Sequence, residues 1–544
     1  MRLLFRTGMC GVALAISVNG VRETHAQVPS CLVATAGGDV QGVDRGDSCA
    51  FLGIPYAAPP IGQLRWKPPQ PPAGWTGPLN VTTPPSGCAS INAMGQPTGS
   101  EDCLKLNVWT PDPRRASKAP VIVWLHTGSF VAASANQGAH NGQHLAEETG
   151  TIVVAPNYRL GPLGFLAHPA LSDEDASYPS SGNYGLLDQR AALEWVQANI
   201  AAFGGDPSRV TIAGTSAGAH SVSLHVTSPG SAGLFHRAVM QSGFGTFKFP
   251  TRDEAEDQGA RLATALGCID PAGVLTCLRA STRQQVLLAL SLGSFEFRER
   301  PVHWTPNVDG LEVRDQPRRL YESGDFARVP VLLGVNRDEG WTFVTRSFSA
   351  AMTPGDYESA IDAEFGDDAA AVLARYPAGA TADPRDALSQ LTGDAEYVCE
   401  AQRLARAVER TGAPVFMYSF EYEVDAIAPD RVIHGLETNF VFGNDFGPPL
   451  ISSLPLTGED RVLARAMGGY WSRFAATGNP NTDDPTIVHW PAFKHPTGPG
   501  RGSAKYLTFG NTIREGQRLK EAECMFWSPF FFRSLVGPVP ASAP

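Results

Sequence analysis

What this chain has little of narrows its function first. Basic charge is short: 43 lysines and arginines stand against 54 aspartates and glutamates, a net charge of −11. The basic residues are scattered, so neither nucleic acid nor an anionic membrane surface is an expected partner. No apolar run is long enough to cross a bilayer. No internal repeat and no long linker appear, and the 44 prolines and 56 glycines are spread over many loops. No C-x-x-C occurs among the nine cysteines, which speaks against a metal or redox pair. His140 and His144 could share a helix face, but no third ligand is in sight. No metal and no cofactor are expected.

What is present begins with an export signal. Arg2 and Arg6 precede a short apolar stretch from Gly8 to Val18, and Thr24-His25-Ala26 offers a small-residue cleavage site before Gln27. Cys10 does not read as a lipid-anchor cysteine, because Thr7, Gly8 and Met9 precede the apolar run instead of following it. Residues 1–26 are therefore expected to be removed, and the product to be secreted or periplasmic. Residues 27–544 read as one domain, since folds that alternate strand and helix reach this length with insertions. Oligomeric state is left open. Eight cysteines remain after Cys10, an even number in an exported chain. Cys268 and Cys277 are close enough to staple one loop, as are Cys88 and Cys103. Cys31 and Cys49 flank a short strand pair, and Cys399 and Cys524 remain by elimination. Asn80-Val81-Thr82 is a glycosylation sequon that matters only in a eukaryotic host.

The pattern of elements predicts an α/β fold. Val121–Leu125 and Thr151–Ala155 are continuous apolar runs of the kind that form buried parallel strands. Val210–Ala213, Arg237–Met240 and Val329–Gly334 read as further strands. Residues 32–56 read as a hairpin region, and 57–75 as proline-rich and irregular. Leu193, Val196 and Ile200 share one face of a helix over Leu187–Ala202, closed by the turn chemistry of Asp206-Pro207. Strands alternating with helices imply a mostly parallel, doubly wound sheet. Residues 345–410 are rich in helix formers and are expected to form part of a helical cap.

One pentapeptide carries the chemistry. Gly214-Thr215-Ser216-Ala217-Gly218 lies between a strand-like run and a helix-like stretch. Strand, G-x-S-x-G, helix is the nucleophile elbow of α/β-hydrolases. In a glycine-rich chain the pentapeptide alone could be a plain turn, so its partners matter. A serine hydroxyl needs a base, and the base needs an orienting acid. In chain order the acid should come next and the histidine last. His434 lies in a glycine-containing stretch after the strand-like Val415–Phe420. Asp338 and Glu339 both follow Val329–Gly334, and spacing does not choose between them. The tetrahedral oxyanion needs N–H donors. Ala217 can supply one, and His126-Thr127-Gly128-Ser129-Phe130, after Val121–Leu125, is placed to supply others.

These residues bring the chain to a resemblance with the type-B carboxylesterases, the family of cholinesterases, para-nitrobenzyl esterases and related fungal lipases. It covers nearly the whole mature chain. Matching segments include Phe51–Ala57, Ser100–Leu104, Asn157–Gly161, Gly182–Leu186, Phe203–Pro207, Val308–Gly310, Asp338–Gly340, the His434 segment ending at Phe440–Gly443, and Trp471–Asn481. The resemblance implies an α/β-hydrolase fold and ester hydrolysis through an acyl-enzyme. It implies Ser216 as nucleophile, Glu339 as acid, His434 as base, and Gly128, Ser129 and Ala217 as oxyanion donors. It also supports the Cys88–Cys103 and Cys268–Cys277 pairings.

The departures from that family are informative. Thr215 replaces the glutamate usual before the serine, where it joins a network with the counterpart of Glu437. Thr127 replaces the first glycine of the oxyanion loop and narrows the cleft. Lys105 stands where the second signature has an aromatic or threonine. The acyl-pocket wall should fall on Glu299–Trp304, placing Arg300, Val302 and Trp304 at the substrate, with Arg298 nearby. One carboxylate lost and a guanidinium gained predict acyl groups that carry a carboxylate. The competing reading pairs Arg298 and Arg300 with Glu296 and Glu299 in solvent. Trp304 is either pocket lining or core. Two other functions share the fold: a non-catalytic binding protein of neuroligin type, which an intact serine, acid and histidine argue against, and an amidase or carbamate hydrolase.

Overall fold

The structure is a computed structural model that describes residues 31–92, 94–111, 113, 118–245, 248–290, 304–348, 351–447, 454–495 and 504–536, with side chains to residue 530. Among the described residues the main sheet has eleven strands. They are β1 (Val43–Asp44), β2 (Ser48–Pro55), β3 (Lys105–Pro111), β4 (Ala119–Leu125), β5 (Ile152–Pro156), β6 (Gly205–Thr215), β7 (Arg237–Gln241), β8 (Val331–Asn336), β9 (Val415–Phe420), β10 (Lys505–Phe509) and β11 (Ile513–Gln517). Their spatial order is β11-β10-β9-β8-β7-β6-β4-β5-β3-β2-β1. Neighbours from β5 through β10 run parallel, and the pairs toward both edges run antiparallel. This is the mostly parallel sheet expected from the sequence.

Strand β4 shows why the apolar runs are continuous. Val121, Val123 and Leu125 join one apolar cluster with Leu193 and Val196 of helix α1 (Tyr184–Asn199). Ile122 and Trp124 join another with Met467, Trp471 and Phe474 of helix α3 (Gly458–Thr477). Both faces of the strand are covered, so alternation vanishes and every position is apolar. Each such side chain contributes on the order of 1.5–3 kcal/mol when buried.

Short elements over Trp341–Ser347, Pro354–Phe365, Ala369–Arg375 and Pro384–Thr392 form the helical region expected after residue 345. They enclose a third apolar cluster with Trp527 and Phe530 of the C-terminal helix. A π-helical turn, Gly393–Val398, then runs into helix Cys399–Arg410. Four disulfides join Cys31–Cys49, Cys88–Cys103, Cys268–Cys277 and Cys399–Cys524, with Cα separations of 5.6, 5.0, 5.5 and 5.0 Å, an unstrained range. Cys399–Cys524 spans 125 residues. It therefore removes the most chain entropy from the unfolded state in the loop-closure account.

Two local readings change. The helix before β6 does not stop at Asp206-Pro207. It tightens into a 3-10 turn over Ile200–Phe203 and ends at Gly204, with φ of 87°. A glycine takes that left-handed cap without the clash a Cβ would bring. Asp206 and Pro207 lie inside the bounds of β6, where Asp206 Oδ1 accepts from Ser208 N at 2.9 Å and the register against β4 shifts. His140 and His144 do not share a helix either. His140 ends a 3-10 turn, and Asn141 and Gly142 separate it from the helix that holds His144.

Candidate active site

Four segments converge at the carboxyl ends of the central parallel strands, where open α/β sheets bind ligands. Ser216 follows β6, the loop 126–133 follows β4, Glu339 follows β8 and His434 follows β9. Ser216 has φ 57° and ψ −122° and starts helix α2 (Ala217–Thr227). A non-glycine residue in that region is strained, and the strain persists only if its surroundings enforce it. Here Ser216 N donates to Gln241 O of β7 at 2.9 Å, and Ser216 O accepts from His220 N at 2.9 Å. A Cβ at Gly218 would collide with the Leu125 carbonyl at the end of β4. The helix can approach the sheet this closely only with glycine there.

The loop after β4 is bent by three consecutive positive φ angles, Gly128 at 112°, Ser129 at 54° and Phe130 at 62°. At its base the His126 ring stacks on Tyr158, 4.2 Å between centroids, and the Tyr158 hydroxyl donates to His126 O at 2.7 Å. Burial lowers the His126 pKa to about 4, so the ring is neutral at pH 7. Its Nδ1 donates to Thr127 O at 2.8 Å. At its tip Phe130 packs edge-on against Phe165, and its carbonyl accepts from Gly161 N at 2.7 Å. Among the described residues, the amide N–H groups of Gly128, Ser129 and Ala217 have no hydrogen-bond partner. Those are the groups an oxyanion would need.

Glu339 is wholly buried. Its Oε1 accepts from Asn336 N at 2.7 Å, and its Oε2 meets His434 Nδ1 at 2.5 Å. The adjacent Asp338 points elsewhere. Asp338 Oδ2 accepts from Val432 N at 2.8 Å, and Asp338 N donates to Val432 O at 2.9 Å. Of the two acids that spacing could not separate, Glu339 reaches the imidazole while Asp338 staples the loop that carries it. Arg431 ties the same loop to Asp338 and Asp386, and its guanidinium lies 4.5 Å from the Trp341 ring centroid. With Nδ1 held by Glu339, His434 Nε2 is buried and has no partner among the described residues. It is the free nitrogen of the ring.

Thr215 bonds to the short helix Glu437–Phe442 that follows the His434 loop. Its Oγ1 lies 3.1 Å from Thr438 Oγ1. Next to it, Glu437 Oε1 accepts from Gln241 Nε2 at 2.9 Å and Oε2 from Asn336 Nδ2 at 2.6 Å. Gln241 Oε1 in turn accepts from Trp471 Nε1 at 2.9 Å. Burial, and then the charge of Glu339, raise the Glu437 pKa above the usual carboxylate value. Gln241 thus holds the elbow through its backbone and Glu437 through its side chain.

Two residues at the site went unread in the sequence. Phe343 and Tyr397 pack edge-on against the His434 ring, with centroids 4.8 and 5.3 Å away. Tyr397 arrives from the π-helical turn, a distortion often found at functional sites, and no spacing rule would have found it. Trp304 is buried in an apolar cluster that includes Phe130 and Ala217. Arg298, Arg300 and Val302 lie outside the described residues. Lys105 opens β3 and pairs with Asp102 at 3.2 Å. Among the described residues no three metal-ligating side chains come together, and no helix is long and apolar enough to cross a membrane.

The model of the Carboxylesterase family matches residues 29–527. Over 502 residues the chain is 36% identical to a protein of Sphingopyxis macrogoltabida named fumonisin B1 esterase, covering 90% of this chain and 88% of that relative.

Proposed function

Because the chain belongs to the carboxylesterase family and is a carboxylic ester hydrolase acting on a small-molecule ester, we propose that it works as a secreted serine esterase. Ser216 Oγ attacks the ester carbonyl carbon while His434 Nε2 takes its proton. Glu339 holds the imidazole through Nδ1 and stabilises the imidazolium. The N–H groups of Gly128, Ser129 and Ala217 receive the oxyanion. The tetrahedral intermediate collapses, His434 protonates the departing alcohol, and the acyl group stays on Ser216. Water repeats the sequence and releases the acid. The observation that carries this reading is the buried His434–Glu339 contact at 2.5 Å, which leaves Nε2 buried and unpartnered among the described residues.

Residues 1–26 act as an export signal, and residues 27–544 are the secreted domain. Four disulfides suit an oxidising compartment. The substrate reading is an acyl group that carries a carboxylate. It rests on Thr215 in place of an acid and on the arginines at 298 and 300. The similarity to a fumonisin B1 esterase makes fumonisin B1 the first natural ester to try.

The test has two parts. A fluorophosphonate probe should label the wild-type chain and fail on Ser216→Ala. Labelling of the variant would remove Ser216 from its role. Two esters with one leaving group, one with a neutral acyl chain and one with a terminal carboxylate, are then compared by kcat/KM. An anionic ester hydrolysed at least as fast supports the carboxylate reading, and turnover of the neutral ester alone ends it. Matched amide and carbamate substrates separate this reading from those activities.

A further inference from the structure

The helix Cys399–Arg410 carries Arg403, Arg406 and Arg410 on one face. They open into a cavity of about 360 Å³ whose lining also includes Glu322, Gln402, Ser528 and the Cys399–Cys524 disulfide. The cavity sits between this helix and the C-terminal helix, away from the cluster around Ser216. Three guanidinium groups face it against one carboxylate.

That carboxylate is already engaged. Glu322 Oε1 lies 3.2 Å from Arg318 Nε and 3.6 Å from Arg403 Nη1, and Arg403 also approaches Glu400 at 3.5 Å. Arg406 and Arg410 are left over. Among the described residues neither has a carboxylate within ion-pair distance. Arg406 Nη2 donates to Gln402 Oε1 at 3.2 Å, while its Nε is buried with no partner. Burial first, then the neighbouring charge of Arg403, disfavour the Arg406 cation, and the opposing pull of Glu521 together with the push of Arg410 leaves its pKa lowered. The same field reaches His495, whose pKa falls through burial and then through Arg406. Like charges on one helix face destabilise a helix, and a buried guanidinium N–H without an acceptor is costly. An anion in the cavity would reverse both effects.

We propose that this cavity binds a compact organic anion bearing two or more carboxylate or phosphate groups, held by Arg406 and Arg410 with Arg403 behind them. Planar guanidinium forks suit such groups because each can take two oxygens at once. The cavity holds more than a single inorganic ion. The disulfide ties the first residue of the arginine helix, Cys399, to Cys524 of the C-terminal helix, so the two walls of the cavity are covalently joined. The site is independent of the ester chemistry, since none of its residues touches the serine, the histidine or their acid.

Titration of the full chain with citrate, pyrophosphate and inorganic phosphate, at constant ionic strength set with chloride, tests this by calorimetry and thermal shift. Saturable one-to-one binding of citrate or pyrophosphate is expected, with Tm rising as ligand exceeds Kd. The variant R406Q/R410Q should bind at least about tenfold more weakly, a loss that two charge-assisted contacts imply, while neutral-ester hydrolysis stays at the wild-type level. The exposed single change Arg410→Gln serves if the double variant folds poorly, and should weaken binding in part. Response to citrate alone or to pyrophosphate alone upholds the site and names the group it prefers. No saturable binding, equal binding by wild type and variants, or a response to inorganic phosphate only would overturn the proposal.

Discussion

The two halves of the site are built by different means. The elbow and the loop after β4 are set by backbone geometry: a serine at φ 57°, three positive-φ residues in a row, and glycines where a Cβ would collide. The acid–histidine half is set by side chains. Asp338 staples the His434 loop, Glu339 orients its ring, and Glu437, Asn336 and Gln241 fill the space beneath. A backbone-built half should fail by failing to fold. A half built from side chains should fail by losing rate while the fold survives.

Gly218→Ala is the harshest test of the first half. Its new methyl meets the Leu125 carbonyl, so the elbow cannot seat, at a cost of several kcal/mol on the order expected for overpacking and strain. Soluble, cooperatively melting enzyme should be nearly lost, as read by yield and calorimetry. If the variant melts within a few degrees of wild type, the elbow is softer than its geometry implies. Glu339→Gln is the matching test of the second half. We expect kcat to fall by roughly 10⁴-fold through loss of the correct imidazole tautomer, with Tm little changed. A large Tm loss would put Glu339 among structural residues instead.

Asp338→Asn should act more gently. It weakens the clamp on Val432 without touching His434, and a small displacement of the base should lower kcat by about 10- to 100-fold with KM nearly constant. An unchanged kcat would show that Arg431 and the Glu437 network hold the loop unaided.

Acid stability offers the smallest and most general test. Burial lowers the pKa of His126 to about 4 and those of His140 and His225 to about 3. These rings bind a proton less readily folded than unfolded. Their contribution is complete above an unfolded value of about 6.5 and is lost as pH falls toward 4 and 3. Glu437 works the other way. Its raised pKa favours the folded state at low pH, and that contribution disappears as pH rises from the ordinary value of 4.5 through its folded value. Tm should fall between pH 6.5 and 4, and Glu437→Gln should make the fall steeper. A flat profile would mean that the three histidines charge without unfolding the chain.

Helix α1 could be read because burial on one face leaves a periodic apolar pattern, and strands β4 and β6 because burial on both faces leaves an apolar run. The G-x-S-x-G turn could be read because only glycine tolerates its close approaches. The sequence points to a helix stop at Asp206-Pro207 while the structure stops it at Gly204, because two turn signals stand side by side and only the packed strand that follows selects the left-handed cap.

The sequence by itself determined the order of strands and helices, the serine turn, the histidine candidate and a pair of adjacent acids. Periodicity and glycine placement are local properties, so a linear reading reaches them. Only the tertiary structure decided that Glu339 faces the imidazole while Asp338 faces the backbone of Val432. It alone brought Tyr397 and Phe343 to the ring, paired Thr215 with Thr438, and gathered three arginines around a cavity lined also by Cys399 and Cys524. These depend on the direction of a side chain and on contacts across as many as 223 residues, which no spacing along the chain encodes.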